Sequence, residues 1–281
     1  MRTPLKVAAF AGGLVLTFGA SMALGQQTGP VGPTHTSAMS HGGVHDVAAP
    51  IQAVGLAVAQ DGYSLHVANT VVPAGVPAPL SFTITGPSGA PVTTYVPTHD
   101  KELHLILVRR DLTGFQHVHP TRAADGTWSI SVTISEAGPY KLYADFAPDT
   151  RTTALVLATD LTVPGNYTPT PVAPESPIAT ADGDTVTTTG SLTAGQESLL
   201  DFSVTRNGSP VTLEPYLGAF GHLVAIRAGD LAYLHVHPEG ETGLRFVVDV
   251  PTSGTYRLFL GYQHDGAVHT AAFTSTAGGH G

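Results

Sequence analysis

Apolar and polar residues alternate in short runs along most of this chain. Between residues 51 and 163 the runs fall at 51–59, 63–68, 80–85, 103–109, 115–119, 128–134, 140–146 and 153–163. Clusters of Gly, Pro, Asp and Ser separate them, among them Gly86-Pro87-Ser88-Gly89 and Ala124-Asp125-Gly126. A period of two sends side chains alternately to the two faces of a strand, and turn signals every roughly 8–12 residues join strands into a sandwich or barrel. No stretch of helical period is long enough to define a helix. The pattern predicts an all-β fold.

The pattern then returns in shortened form, with runs at 199–204, 222–227, 233–236, 246–250, 256–262 and 270–274. The two halves match without a gap around one segment. Phe115-Gln116-His117-Val118-His119-Pro120 returns as Tyr233-Leu234-His235-Val236-His237-Pro238, and His104 and His222 each lie thirteen residues before the first histidine of the pair. Downstream, Gly138-Pro139-Tyr140-Lys141-Leu142 matches Gly254-Thr255-Tyr256-Arg257-Leu258. A period near 118 residues is that of a whole domain, far longer than a solenoid repeat. The Gly-x-Tyr-x-Leu segments also carry a fold signal. Immunoglobulin-like sandwiches place a Tyr near the start of strand F whose hydroxyl bonds back to upstream backbone, two residues before a core position. Leu142 and Leu258 would fill that position, and Trp128 and Phe246 would pack in the two cores. The expectation is two tandem immunoglobulin-like β-sandwich domains, at 51–163 and 183–275, joined by a Pro- and Thr-rich linker at 164–182 and followed by a flexible tail at 276–281.

The N-terminal region adds a location. Residues 1–25 read as a secretory signal peptide: Arg2 and Lys6, an apolar run at 7–20, then Ala23-Leu24-Gly25 as a small-residue cleavage site. The run is interrupted by glycines and is shorter than the ~20 apolar residues a spanning helix needs. The mature protein is therefore expected outside the cytoplasm, secreted or in the cell envelope, with no stable membrane insertion after cleavage. Residues 26–50 form a leader without apolar periodicity, expected to be disordered, that carries His35, Met39, His41 and His45. Cleavage after Gly25 would leave Gln26 first, so no amino-terminal histidine is offered to copper.

Composition narrows the chemistry. Only 12% of residues are charged and the formal net charge is −9, or −11 once Arg2 and Lys6 leave with the signal. An acidic chain without a basic stripe does not suit nucleic acid or anionic membrane surfaces. The absence of cysteine removes disulfides, thiolate nucleophiles and the Cys-ligated blue-copper centre. No nucleophile elbow, His-Glu-x-x-His helix or phosphate-cradling loop occurs, so the chain is not expected to be an enzyme.

The histidines are the remaining candidates. On a strand, His117 and His119 project to one face with Cα atoms about 6.6 Å apart, as do His235 and His237. A hairpin through Asp111-Leu112-Thr113-Gly114, or through Ala228-Gly229-Asp230, would bring His104 or His222 alongside. The expected metal ligands are thus His104, His117 and His119 and, in the second copy, His222, His235 and His237. His99, His264 and His269 are secondary candidates, and they differ between the copies. Three imidazoles suit Zn(II), Cu(II) or Ni(II). The competing expectation is that these histidines hydrogen-bond and hold the strand end before Pro120 or Pro238. His66 stands apart and reads as structural or exposed.

The segment His104-Leu105, Arg109, Asp111-Leu112, Phe115, His117, His119-Pro120, followed by Gly138, Tyr140 and Leu142, resembles bacterial secreted proteins related to the YtkA-like and copper-resistance immunoglobulin-like domains. The second copy matches at His222-Leu223, Arg227, Leu231, Tyr233, His235 and His237-Pro238. The resemblance implies an extracytoplasmic β-sandwich concerned with metal handling. The leading expectation is non-catalytic binding of a divalent metal, copper or zinc first, and the competing one is a structural or adhesive cell-envelope module whose histidines are hydrogen-bonded and whose partner is a cell-envelope protein. The chain departs from the copper-resistance pattern in lacking their N-terminal histidine.

Overall fold

The computed structural model describes residues 54–278, except His235, Glu241 and Thr242. The expected signal peptide, the leader with its histidines and the last three residues lie outside these.

The first half contributes β1 (Ala59–Gln60), β2 (Tyr63–Val67), β3 (Pro77–Thr85), β4 (Leu103–Arg109), β5 (Gln116–Val118), β6 (Thr121–Arg122), β7 (Thr127–Thr133), β8 (Gly138–Phe146) and β9 (Leu155–Val163). They form one sheet in the order β1-β2-β3-β7-β6 and another in the order β5-β4-β8-β9. Setting aside the short β1, this is the A-B-E-D and C′-C-F-G arrangement of an immunoglobulin-like sandwich. The second half contributes β10 (Ile178–Ala181), β11 (Asp184–Thr189), β12 (Glu197–Arg206), β13 (Ser209–Pro210), β14 (Gly221–Arg227), β15 (Tyr233–Leu234), β16 (Val236–Pro238), β17 (Leu244–Asp249), β18 (Gly254–His264) and β19 (Ala267–Ala277). Their sheets run β10-β11-β12-β17-β16, with β13 on β12, and β15-β14-β18-β19. The fold is all-β, two immunoglobulin-like sandwiches in tandem.

Each sandwich closes over its own core. Trp128 stacks on Phe82 in the first, and Phe246 packs edge-on against Phe202 in the second. The expected tyrosine corners are present: Tyr140 Oη donates to Glu136 O at 3.0 Å, and Tyr256 Oη to Thr252 O at 2.7 Å. Two boundaries differ from expectation. Strand β10 lies inside the stretch expected as linker, because Ile178–Ala181 pairs in register with β11 after a Pro-rich approach. Before it, the segment is pinned to the first sandwich: Arg109 lies over the Tyr167 ring, and the Thr170 amide donates to Asp111 Oδ2 at 2.8 Å. Strand β19 also runs to Ala277, into the expected tail, where the Ala194 amide donates to Gly278 O.

The outer faces of the two C′-C-F-G sheets pack on one another. In β4, Leu103, Leu105 and Leu107 point into the first core, whereas Ile106 and Val108 enter a third cluster with Val224 and Ile226 of β14. Both faces of these strands are covered, so all seven residues of β4 are buried and Leu105-Ile106-Leu107-Val108 is apolar at consecutive positions. The interface repeats itself about a pseudo-twofold axis. Phe115 stacks on Phe259 with ring centres 4.1 Å apart, while their counterparts Tyr233 and Tyr143 pair at 5.4 Å. Contact of i with j and of j with i is the mark of an isologous interface. Tyr143 Oη donates to Leu231 O at 2.6 Å and Tyr233 Oη to Asp145 Oδ2 at 3.1 Å. Gly55, at φ +70°, threads between these tyrosines, where a Cβ would stand 2.7 Å from Tyr233 Cβ.

A shared third core predicts that the sandwiches unfold together. Calorimetry of the wild type should give one transition. Ile226→Ala, at a fully buried interface position, should cost about 2–5 kcal/mol and separate the transition into two. Two resolved transitions in the wild type would contradict a common core.

Candidate metal centre

The site begins with register. Leu105 pairs with Val118 and Ile106 with His117, so β5 lies antiparallel to β4 and delivers His117 to the outer face that carries His104 and Ile106. His119 follows one pleat further on the same side. The hairpin turn that allows this closes between Arg109 and Thr113, with Leu112 at φ +65° and Gly114 at φ +60°. The three rings converge, with centres 4.9–5.2 Å apart. His104 Nδ1 lies 3.0 Å from His117 Nε2 and 3.1 Å from His119 Nε2. One nitrogen from each of the three lies within 4.8 Å of the others, the one such group of three or more His, Asp or Glu ligands among the described residues. Atoms this close share a point within about 3 Å of each, near the roughly 2.0–2.1 Å of a metal–nitrogen bond.

Orientation of His104 comes from the backbone. Its Nε2 donates to Thr98 O at 2.9 Å. A carbonyl oxygen only accepts, so Nε2 carries the proton and Nδ1 keeps its lone pair toward the other two rings. Metal-ligating histidines are commonly fixed in this way. Asp145 stands directly across the sheet from His104 and is held by the Tyr233 hydroxyl.

The second copy is arranged differently. Ala225 pairs with Leu234 and Ile226 with Tyr233, the same register as in the first copy. After Leu234 the chain crosses to the other sheet, where Val236 faces Val248 and His237 faces Val247 through backbone pairing. His235 lies outside the described residues, and His237 is placed here by its backbone alone. His222 turns instead toward the first sandwich. Its ring centre is 5.0 Å from His99, 6.2 Å from His117 and 6.5 Å from His104. A cavity of about 50 Å³ between the sandwiches is lined by His99, His104, His117, Asp145, His222 and Tyr233, among others.

The remaining candidates sit elsewhere. His269 faces Asp182 Oδ2 at 2.9 Å and His264 O at 3.2 Å, while His264 faces Thr212 O and Asp265 Oδ2 at 3.2 and 3.3 Å. Oxygen acceptors at both nitrogens of each ring make them supports of the β18–β19 hairpin. His66 is exposed and bonds Thr85 Oγ1 at 3.1 Å, as expected of a structural or exposed residue. What sequence reasoning did not anticipate is that His222 meets the first copy's cluster, and that Asp145 and Tyr233 border it.

Burial favours the neutral form of His117, His119 and His222. Burial drives the His117 imidazole well below the ordinary histidine range, and the rings around it add to the shift. Burial, then His104 and Lys101, lowers His119 to about 3. His222 is lowered to about 4 by burial, against the Tyr216 hydrogen bond that raises it. Neutral imidazole is the form that ligates metal.

The architecture and the cluster together define a two-sandwich immunoglobulin-like protein with a buried histidine group at the junction. A family model described as Domain of unknown function (DUF8832) matches residues 57–163 and again 179–279. The chain belongs to that family and carries two copies of its domain. Comparison with curated proteins gives no match. Among solved structures, the FdeC adhesin of Escherichia coli aligns at 14% identity over 81% of this chain and 67% of that one, with a TM-score of 0.28. Salmonella alpha-2-macroglobulin aligns at 11% identity over 80% of this chain and 15% of its own, with a TM-score of 0.27. InvD of Yersinia pseudotuberculosis gives 14%, 78%, 58% and 0.25 in the same order. The chain thus spans less than two thirds of two of these three, and alignments with TM-scores this low assign neither role nor partner.

The lowered histidines make stability depend on pH. Unfolded histidine titrates near pH 6.5, whereas His119 and His222 in the folded protein do so only near 3 and 4. Between those values the unfolded chain binds more protons, so stability is complete above about pH 6.5 and falls as pH drops toward 3. Each such histidine contributes a slope of up to about 1.4 kcal/mol per pH unit. Urea unfolding in chelator-treated buffer should show this decline, and His119→Asn should make it shallower. An unchanged slope would place the His119 shift in error.

Proposed function

We propose that this is an extracytoplasmic, non-catalytic protein that binds one divalent transition-metal ion, copper or zinc, through His104, His117 and His119. One observation carries the reading. With its Nε2 committed to Thr98 O, His104 has a single lone pair on Nδ1, and two imidazole nitrogens approach that atom at 3.0 and 3.1 Å. One sp² lone pair aligns with one donor well and with two poorly. An ion bound by all three nitrogens at about 2.0–2.1 Å would satisfy each lone pair at once. His104 would bind through Nδ1, and His117 and His119 through Nε2.

Three neutral nitrogens and one water suit tetrahedral zinc, and nitrogen ligands with an open position also suit Cu(II). The resemblance of the His-x-His-Pro segment to copper-resistance domains favours copper. Transport outside the cytoplasm belongs to the same proposal and rests on the signal-like N-terminus. A carrier or buffer is preferred to a catalyst because the sequence holds no nucleophile elbow, His-Glu-x-x-His helix or phosphate-cradling loop. A second reading has its own support. Contacts of 3.0–3.1 Å are ordinary hydrogen-bond lengths, so the cluster could hold the fold of a structural or adhesive module that binds a cell-envelope protein.

Metal titration separates them. Protein lacking residues 1–25 should take up one equivalent of copper or zinc that a His117→Ala/His119→Ala variant binds at least about 100-fold more weakly, since loss of orienting groups alone costs 10–100-fold. The leader histidines are present in both proteins and cancel. Equal stoichiometry and affinity would eliminate the site and leave the hydrogen-bonded module.

A further inference from the structure

His104 and His222 occupy equivalent places in the repeat, and the backbone treats them alike. His104 Nε2 donates to Thr98 O at 2.9 Å, and His222 Nε2 donates to Tyr216 O at 2.8 Å, six residues upstream in each case. Both carbonyls belong to tight turns in which the end residues exchange backbone hydrogen bonds, Thr98 with Lys101 and Tyr216 with Ala219. The two central residues of each turn have positive φ: His99 and Asp100 at +49° and +60°, Leu217 and Gly218 at +52° and +71°. The turns also meet, since a Cβ on Gly218 would stand 3.2 Å from Asp100 Oδ2. By the argument applied to His104, the His222 proton resides on Nε2 and the lone pair on Nδ1. A second imidazole in the ligating tautomer therefore lines the same cavity from the facing sandwich.

We propose that His222 completes the metal site across the junction, so that the ion is held between the sandwiches by His104, His117 and His119 on one side and His222 on the other. This rests on the reading of the first three histidines as metal ligands. Four imidazoles on one tetrahedral ion with bonds of about 2.0–2.1 Å stand with ring centres roughly 5 Å apart. The first three rings already meet that spacing at 4.9–5.2 Å, and His222 lies 6.2 and 6.5 Å from two of them. Closing these two gaps takes a shift of about 1.2–1.5 Å, a rearrangement of the His222 side chain that ion binding would have to drive. The His99 ring meets His222 edge-on at 5.0 Å and 78° and backs it from the side of the first turn.

The surroundings fit one such ion. Asp145, beside His104, supplies a buried carboxylate near the site, whereas the residue beside His222 is Gly261. Lys101 and Glu102 also line the cavity, and the Glu102 carboxylate is paired with Arg122 at 3.0 and 3.1 Å. Because the ligands come from both sandwiches, metal binding and junction packing are coupled in both directions: what tightens one tightens the other. The ion would act as a staple on an interface that the apolar core already closes.

The test uses the full mature chain and copper(II) alone as the probe. Pulsed EPR counts coordinated imidazoles, and competition with a chelator gives affinity. His222→Gln removes the ligating ring but keeps an N–H for Tyr216 O, and His66→Gln serves as an exposed control. Four imidazoles are expected in the wild type and in His66→Gln. His222→Gln should show three, with affinity lower by about 10–100-fold and a smaller copper-induced rise in melting temperature. Three imidazoles in both wild type and His222→Gln, at equal affinity, would overturn the staple while leaving the three-histidine site intact. Absence of specific copper binding in the wild type would overturn both. Should His222→Gln fail to fold, a wild-type count of three decides against the proposal by itself.

Discussion

Burial of the C′-C-F-G sheets on both faces is the constraint from which the rest of this molecule follows. An immunoglobulin-like sheet ordinarily covers its core with one face and meets water with the other. Here the outer faces of β4 and β14 close on each other through Ile106, Val108, Val224 and Ile226. Any polar group on those faces loses water, and an unpaired one would cost about 1–3 kcal/mol. The residues at the junction are paired accordingly. Tyr143 finds a carbonyl and Tyr233 a carboxylate on the opposite sandwich, and His104 and His222 each find a carbonyl in the turn that precedes their strand. The same dehydration that demands these partners keeps His117, His119 and His222 neutral. Structure and candidate chemistry thus share one cause.

That cause also explains which parts of the molecule could be read from the sequence. Alternation and turn residues are local, so most strands, the two tyrosine corners and the core roles of Trp128 and Phe246 were legible. The spacing of His104, His117 and His119 was legible too, because a hairpin with fixed register brings them to one face. The missing information concerned what lies outside each sandwich. Leu105-Ile106-Leu107-Val108 is apolar at consecutive positions, a pattern that only a strand covered on both sides requires. Its twin Leu223-Val224-Ala225-Ile226 names the partner surface. Phe115 and Tyr233, with Tyr143 and Phe259, occupy matching positions in the repeat and pair across the junction. Strands β10 and β11 escaped notice because Thr-rich edge strands such as Asp184–Thr189 carry few apolar residues to mark a period.

The divergence of the second copy had a subtler origin. Both His-x-His segments start in the same register against their C strands, yet the hairpins differ. The first closes with the Arg109 amide on Thr113 O, the second with the Arg227 amide on Ala232 O, a bond reaching one residue further. In the second copy, among the described residues, Tyr233 and Leu234 pair with β14 and Val236–Pro238 with β17, while in the first Gln116–Val118 all remain on β4. The two hairpins nevertheless have equal length and re-enter the same register, so the departure lies beyond Leu234, where no composition or spacing of histidines records it.

A pseudo-twofold interface would generate every off-axis feature twice if the copies were identical. The copies differ at the positions that matter: His99 answers to Leu217, Asp145 to Gly261, and a strand that stays on its sheet answers to one that leaves it. These differences gather around His104 and His222, the equivalent pair whose rings lie 6.5 Å apart. They leave intact the apolar contacts that need symmetry, and they concentrate the imidazoles and the buried carboxylate on the first sandwich. Duplication supplied a matched pair of faces whose closure excludes water. Divergence then turned a symmetric junction into one with a histidine-lined pocket, walled by both copies, whose imidazoles come mainly from the first copy and, from the second, from His222.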